Sequence, residues 1–142
     1  MAPISKLLRH IILASSLCLM ATGCSSRSQA IDRMVEELNS AQFRAAEART
    51  GLFTDSQAKI EGDTLAITFF CRPHISLAGI TGDQLPQLRQ SAVEEFKANL
   101  ANKQLKKGIE ALHDHNMGLK LIWKDTNGHE VKLPLSPAGI LQ

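Results

Sequence analysis

The stretch LKLIWKDTNGHEVKL, residues 119–133, decides the fold more than any other part of the chain. Two runs that alternate apolar and polar residues flank the segment DTNG, residues 125–128. A period of two predicts half-buried strands, and Asn-Gly between two such runs predicts a tight turn. We therefore expect a β-hairpin whose buried face carries Leu119, Leu121, Trp123, Val131 and Leu133.

A second hairpin is predicted earlier in the chain, from strands at Ser56–Glu61 and Thr64–Cys71 joined by Gly62-Asp63. Its buried face should carry Leu65, Ile67, Phe69 and Cys71. The alternation favours a core role for the Cys71 thiol, although the neighbouring Arg72 and His74 leave a reactive thiol as the alternative. Trp123 is likewise expected in the core, with an exposed ligand-stacking platform as its alternative.

One helical region is predicted before each hairpin. The first is predicted over Gln29–Thr50, opened by a Ser26/Gln29 capping box, with a stripe at helical spacing formed by Ile31, Met34, Val35, Leu38, Ala41 and Ala45. Charged residues, Glu47 among them, should lie outside this stripe. The second is predicted over Leu85–His113, opened by a Thr81/Gln84 capping box. Its two apolar stripes are out of phase, and Gly108 is the expected place of a bend.

The element order is thus α-β-β-α-β-β. It predicts an α+β fold with one antiparallel sheet of about four strands, formed by the two hairpins, and with helices packed on one face. Residues 29–142 are enough for a single domain.

The N-terminus has the pattern of an export signal. Lys6 and Arg9 precede an apolar run, Ile11–Met20, which is too short to span a bilayer. A charged start, a short apolar centre and small residues at the exit are typical of a secretory signal peptide, here residues 1–23.

Ala21-Thr22-Gly23-Cys24 resembles the lipobox of bacterial lipoproteins. The resemblance implies that Cys24 receives a diacylglyceryl group, that the signal is cut before it, and that the new amino terminus is acylated, commonly with palmitate. Residues 24–28 would form a lipidated tether. Ser25 after the cysteine implies the periplasmic face of the outer membrane, if the source is a diderm bacterium. The element order, with its closing strand–Asp–x–Asn–Gly–strand unit at Leu119–Leu133, resembles several families of small, uncharacterised bacterial envelope lipoproteins, which carry no agreed activity.

Processing would change the charge and the cysteine count. The 16 basic residues fall to 14 once Lys6 and Arg9 are removed, which equals the 14 acidic residues. A net charge of zero argues against nucleic acid as a partner and gives no basic field for anionic lipids. Cys18 is lost and Cys24 is lipidated, so Cys71 alone remains and no intramolecular disulfide is expected.

Motifs for chemistry are weak. His113-Asp114-His115 is the best metal candidate, but histidines two apart point about 200° apart on a helix. Histidines at a helix C-terminus are also explained without a metal, because the helix dipole favours cations there. The sequence contains no Gly-x-Ser-x-Gly turn, phosphate loop or paired cysteines. We therefore expect no catalytic, cofactor-binding or metal residues.

The expected function is a lipid-anchored, non-catalytic binding or assembly module of the cell envelope. Its partners would be the membrane, through the anchor, and an envelope protein, which would meet an uncovered sheet face or a strand edge. The alternative is a small envelope hydrolase or metalloenzyme using His113, Asp114 or His115. A weaker third hypothesis is an immunity or inhibitor protein.

Overall fold

The computed structural model describes residues 27–142. In chain order its elements are α1 (Arg27–Leu38), α2 (Ala41–Arg49), β1 (Phe53–Glu61), β2 (Thr64–Cys71), a 3₁₀ turn (Gly82–Gln84), α3 (Leu85–Ala98), α4 (Lys103–Asp114), β3 (Gly118–Lys124), β4 (Glu130–Leu135) and α5 (Pro137–Leu141).

The four strands form one mixed sheet in the order β1-β2-β3-β4. Both predicted hairpins are present as antiparallel pairs, but β2 and β3 run parallel, with Thr64 opposite Gly118 and Phe70 opposite Lys124. The α+β class and the four strands are confirmed. The prediction of a purely antiparallel sheet is wrong.

Contacts at both ends of the central pair favour the parallel direction. Residues 72–117, including α3 and α4, carry the chain back to the starting end of β2, as parallel pairing requires. At that end, the Gly118 amide donates to the Asp63 carbonyl over 2.8 Å. At the other end, the Leu77 amide donates to the Asp125 carboxylate over 3.0 Å. Alternation alone buries the same side chains in either direction, so it could not choose between them.

The helices share a single core with one face of the sheet. The predicted buried faces of both hairpins are confirmed, since Phe69 is 0% and Trp123 2% exposed and their ring centroids lie 6.0 Å apart. Phe53 packs on Phe69 at 5.1 Å. Cys71 is also buried in this core, as its alternation predicted.

The first helical region is two helices rather than one. The break comes at Ser40, which is the N-cap of α2: its Oγ accepts a hydrogen bond from the Phe43 amide. Asn39 lies in the break, where its side chain accepts the Ala58 amide (2.7 Å) and donates to the Ala58 carbonyl (2.8 Å). A side chain that satisfies both backbone groups of a strand residue holds the helices to the edge of β1.

The break also shifts the buried stripe. Ala41 and Ala45 of the predicted stripe are exposed, whereas Phe43, Ala46 and Glu47 face the core. The prediction that Glu47 lies on the outer face of its helix is therefore wrong. Glu47 follows Phe43 by four residues in α2, so the two side chains lie on the same, buried face.

The second helical region breaks between Ala98 and Lys103, not at Gly108. Asn102 caps α4 by accepting the Gln104 and Leu105 amides. Gly108 lies inside α4, where a Cβ would come within 2.5 Å of the Met34 sulfur. The change of phase between the two apolar stripes therefore correctly indicated a break in the helix. Gly108 has a different role, since it allows α1 to pack closely on α4.

Regular structure continues beyond Leu133, the last residue of the predicted hairpin. β4 continues through Pro134 to Leu135, which an edge strand permits, and α5 follows with Ile140 fully buried. The Thr81/Gln84 capping box is confirmed, with the Gln84 side chain accepting the Thr81 amide.

The signal peptide, Cys24 and the Ser26/Gln29 capping box lie wholly or partly outside the described residues. Within residues 27–142, no helix has the length and apolar character needed to cross a membrane.

Trp123→Ala should lower the free energy of unfolding by about 3–5 kcal/mol, because it opens a large cavity beside Phe69. Lys124→Ala, the next residue along the same strand and on the opposite face, should change it by less than about 0.5 kcal/mol. Chemical denaturation of the purified chain measures both. Equal, small effects of the two variants would contradict the core position of Trp123.

Candidate functional site

The sheet face opposite the core is a candidate contact surface. We call it the outer sheet face and define it by the residues that alternate with the core positions: Gln57, Lys59, Glu61, Thr64, Ala66, Thr68, Phe70, Lys120, Ile122, Lys124, Glu130, Lys132 and Pro134. None of them belongs to the hydrophobic core cluster that includes the helices. The face is therefore a surface separate from the core.

One charged cluster lies at the end of the outer sheet face where β2 and β3 begin. Glu61 forms salt bridges with two lysines: one carboxylate oxygen lies 3.1 Å from Lys59 Nζ and the other 3.3 Å from Lys120 Nζ. Lys120 reaches across the whole of β2 to make this pair, because Thr64 and Ala66 in between are small. The cluster therefore links β1 to β3.

A matching cluster lies at the opposite end. Glu130 forms salt bridges with Lys124 Nζ (3.2 Å) and Lys132 Nζ (3.6 Å), and each lysine again contacts a different carboxylate oxygen. Lys124 lowers the pKa of the Glu130 carboxyl, as Lys59 does that of Glu61. Exposed pairs of this kind add little to stability. Four lysines against two glutamates leave the face with a net charge of +2.

The centre of the face is apolar. Ala66 is 1% and Ile122 6% exposed, and Phe70 is half-buried beside them. Ala66 has Lys59 and Lys120 as its register neighbours on the two sides. Ala66 and Ile122 are therefore covered by their neighbours, and the face presents mainly its charged and polar side chains to solvent.

The outer edge of β1 offers less for binding. Asn39 occupies both backbone groups of Ala58, and the Asp55 carboxylate accepts the Ser56 amide. Asp55 also forms a two-bond pair with Arg44 at 2.7 and 3.0 Å. Side chains that pair edge backbone groups block the addition of another strand. The uncovered face is therefore a better contact candidate than this edge.

Asp125 organises the loops that follow the two parallel strands. Its side chain is fully buried and accepts the amides of Leu77, Asn127 and His129 and the ring Nδ1 of His129, all at 2.9–3.0 Å. The Leu77 amide, followed by the His129 and Asn127 bonds, lowers the pKa of Asp125 to about 2, although burial opposes the change. The carboxylate thus ties the loop after β2 to the turn after β3.

An Asp–His pair is also found in catalytic sites, where the carboxylate orients an imidazole base. Here Cys71 precedes the same loop, but burial and then the charge of Asp125 raise the pKa of its thiol to about 11. A nucleophilic cysteine needs the opposite shift. No serine or cysteine among the described residues hydrogen-bonds to His129. The geometry therefore fits a structural anchor.

The predicted metal candidates, His113, Asp114 and His115, are all exposed at the C-terminal end of α4. Within residues 27–142, no three His, Cys, Asp or Glu side chains are grouped in a way that could hold a metal ion. No observation on these residues favours the hydrolase or metalloenzyme hypothesis.

A set of polar atoms is buried without a hydrogen-bond partner: both carboxylate oxygens of Glu47, Ser56 Oγ, Arg72 Nε and Trp123 Nε1. Sequence reasoning missed Glu47 and Asp125 as well as the paired lysine clusters. For Asp125 a local signal existed, since Asp at the start of a turn commonly binds backbone amides two residues on. For Glu47 the signal was its spacing from Phe43.

Comparison of the chain with protein-family models, with curated proteins and with solved structures found no match.

Asp125→Asn should lower the melting temperature and increase hydrogen exchange at the Leu77 and His129 amides, because an amide group accepts these bonds less strongly than a carboxylate. The low pKa means that the wild-type carboxylate adds stability above its ordinary pKa of 3.8, and that this stability is lost as the pH falls from there towards 2. The variant should lack that part of the acid transition.

Asp32→Asn, which changes an exposed carboxyl on α1, is the matched control and should leave both measurements unchanged. Unaltered exchange at Leu77 in Asp125→Asn would show that this carboxylate does not hold the loop.

Proposed function

We propose that the chain is a lipid-anchored bacterial envelope protein that acts as a non-catalytic binding or assembly module through its outer sheet face. The observation that carries the binding role is the charge of this face, which presents two Lys–Glu–Lys clusters with a net charge of +2. The partner that fits is an envelope protein with a surface rich in carboxylates, since the face bears a net positive charge.

The anchoring half of the proposal is supported by the sequence. A charged start, the apolar run Ile11–Met20 and the lipobox-like ending at Cys24 favour export and lipidation. The diacylglyceryl and amino-terminal acyl chains would together hold the protein firmly, because a single chain binds only marginally. For a diderm source, Ser25 favours the periplasmic face of the outer membrane.

The tether would keep the domain close to the bilayer. The helix α1 is already formed at Arg27, so two residues separate it from Cys24. Three peptide units span at most about 10 Å. The binding face would therefore meet partners that lie within or beside the same membrane.

Mass spectrometry tests the anchor. The mature protein purified from its own envelope should give an N-terminal peptide that begins at Cys24 and carries acyl chains. Cys24→Ser should abolish the acylation and shift the protein out of the membrane fraction. An unmodified peptide that spans Gly23 and Cys24 as the dominant species would contradict the proposal.

Charge reversal tests the binding face. The double variant Lys120→Glu, Lys124→Glu should reduce co-purification of a cross-linked envelope partner at least tenfold, because it places like charges against the partner's carboxylates. Lys106→Glu, Lys107→Glu on the exposed side of α4 makes the same change of net charge and is the matched control. The outer-face variant should melt slightly below wild type, because Lys124→Glu places like charges directly opposite each other, and melting curves should show both variants folded at the temperature of the assay.

Equal capture by the two double variants would contradict a role for the outer sheet face. Loss of capture in the α4 variant alone would move the contact to the helical side.

A further inference from the structure

Glu47 is a buried ionisable side chain that takes no part in the outer sheet face. The residue is 0% exposed, and neither carboxylate oxygen has a hydrogen-bond donor. An ionised carboxylate is unstable in such a place, because it loses its hydration and gains nothing in exchange. Burial raises the pKa of Glu47 from 4.5 to about 8.

The charged groups around α2 do not form ion pairs with the Glu47 carboxylate. On β1, the residues of the core face are Phe53, Ser56 and Ala58, and Asp55 is paired with Arg44 at the exposed side of α2. After β2, Arg72 Nη2 donates to the Ala48 carbonyl over 3.0 Å, while its Nε has no partner. The charged residues that α1 contributes beside α2 are Asp32, Arg33, Glu36 and Glu37, all exposed or half-buried. Burial is the sole cause of the raised pKa.

The position of α2 makes it the element that can respond. α2 packs against β1 and α1 at the edge of the sheet, with Phe43, Ala46 and Glu47 as its buried face. Moving α2 away from β1 would hydrate Glu47. The parallel pair at the centre of the sheet, with its anchors at Asp63 and Asp125, would be left in place.

We propose that Glu47 is a proton-controlled latch: when protonated, it allows α2 to stay packed on β1, and loss of its proton releases α2 from the edge of the sheet. This inference does not rest on the proposed binding role or on the lipid anchor.

The direction of the pH effect follows from linkage. The packed state holds the Glu47 proton more tightly than the released state, in which the pKa returns to about 4.5. Packing is therefore strongest below pH 4.5 and weakens as the pH rises towards 8. Across this window the ratio of packed to released molecules should fall about tenfold for each pH unit.

Hydrogen exchange of the purified full chain, corrected for the intrinsic pH dependence of exchange, tests the latch. The reporter is the Ala58 amide, which is held by Asn39 at the junction of α1 and α2, and the reference is the amide of Leu121 in β3. In the wild type, protection at Ala58 should fall about tenfold per unit between pH 5 and pH 8, while protection at Leu121 stays constant.

Glu47→Gln removes the ionisable group at nearly constant shape, so protection at Ala58 should no longer depend on pH. Glu94→Gln, at an exposed position of α3, should behave as wild type. Carbon-13 NMR titration of the Glu47 carboxyl in the wild type gives an answer even if the variant folds poorly, and should show a midpoint well above 6.

Three results would overturn the latch. The first is a Glu47 midpoint near 4.5, which would mean that Arg72 or water compensates the charge. The second is Ala58 protection that does not change with pH in the wild type. The third is a parallel loss of protection at Leu121, which would mean global unfolding.

Discussion

The parallel pairing of β2 with β3 is the constraint on which the rest of the structure depends. It places the loops after both strands at one end of the sheet, where the Asp125 carboxylate can hold Leu77 and the β3–β4 turn together. It also brings the start of β3 to the β1–β2 turn, where Gly118 binds Asp63. The two hairpins, each of limited stability alone, become one sheet only through this central pair.

The same pairing distributes the charges of the outer sheet face. In the parallel register Lys120 lies near Glu61, and Lys124 lies near Glu130 at the other end. In an antiparallel register, the Lys124–Glu130 pair would lie beside Glu61, and the charges would gather at one end. The net charge of the sequence therefore says little about this surface, because its charges separate only once the strands are placed. The apolar centre between the clusters is a consequence of strand direction as much as of composition.

Local patterns predicted the parts of the fold that depend on neighbours in the chain. Period-two alternation was enough for both hairpins and for the burial of Phe69, Cys71 and Trp123. The alternation could not give the strand direction. The sequence signal for it was the helix predicted over Leu85–His113 between the hairpins, because parallel neighbours need a long connection, and the structure adds the contact of Leu77 with Asp125, 48 residues apart.

The helix breaks are intermediate cases. Ser40 and Asn102 are recognisable N-caps, but the role of Asn39 depends on Ala58, 19 residues away. An uncovered sheet face was predicted as a contact surface, but its charge clusters needed the register of all four strands. The burial of Glu47 followed only once the break at Ser40 was known. Nuclear Overhauser contacts between the backbones of β2 and β3 test the central claim most directly: the account predicts contacts of Thr64 with Gly118 and of Phe70 with Lys124, whereas contacts of Thr64 with Lys124 and of Phe70 with Gly118 would contradict it.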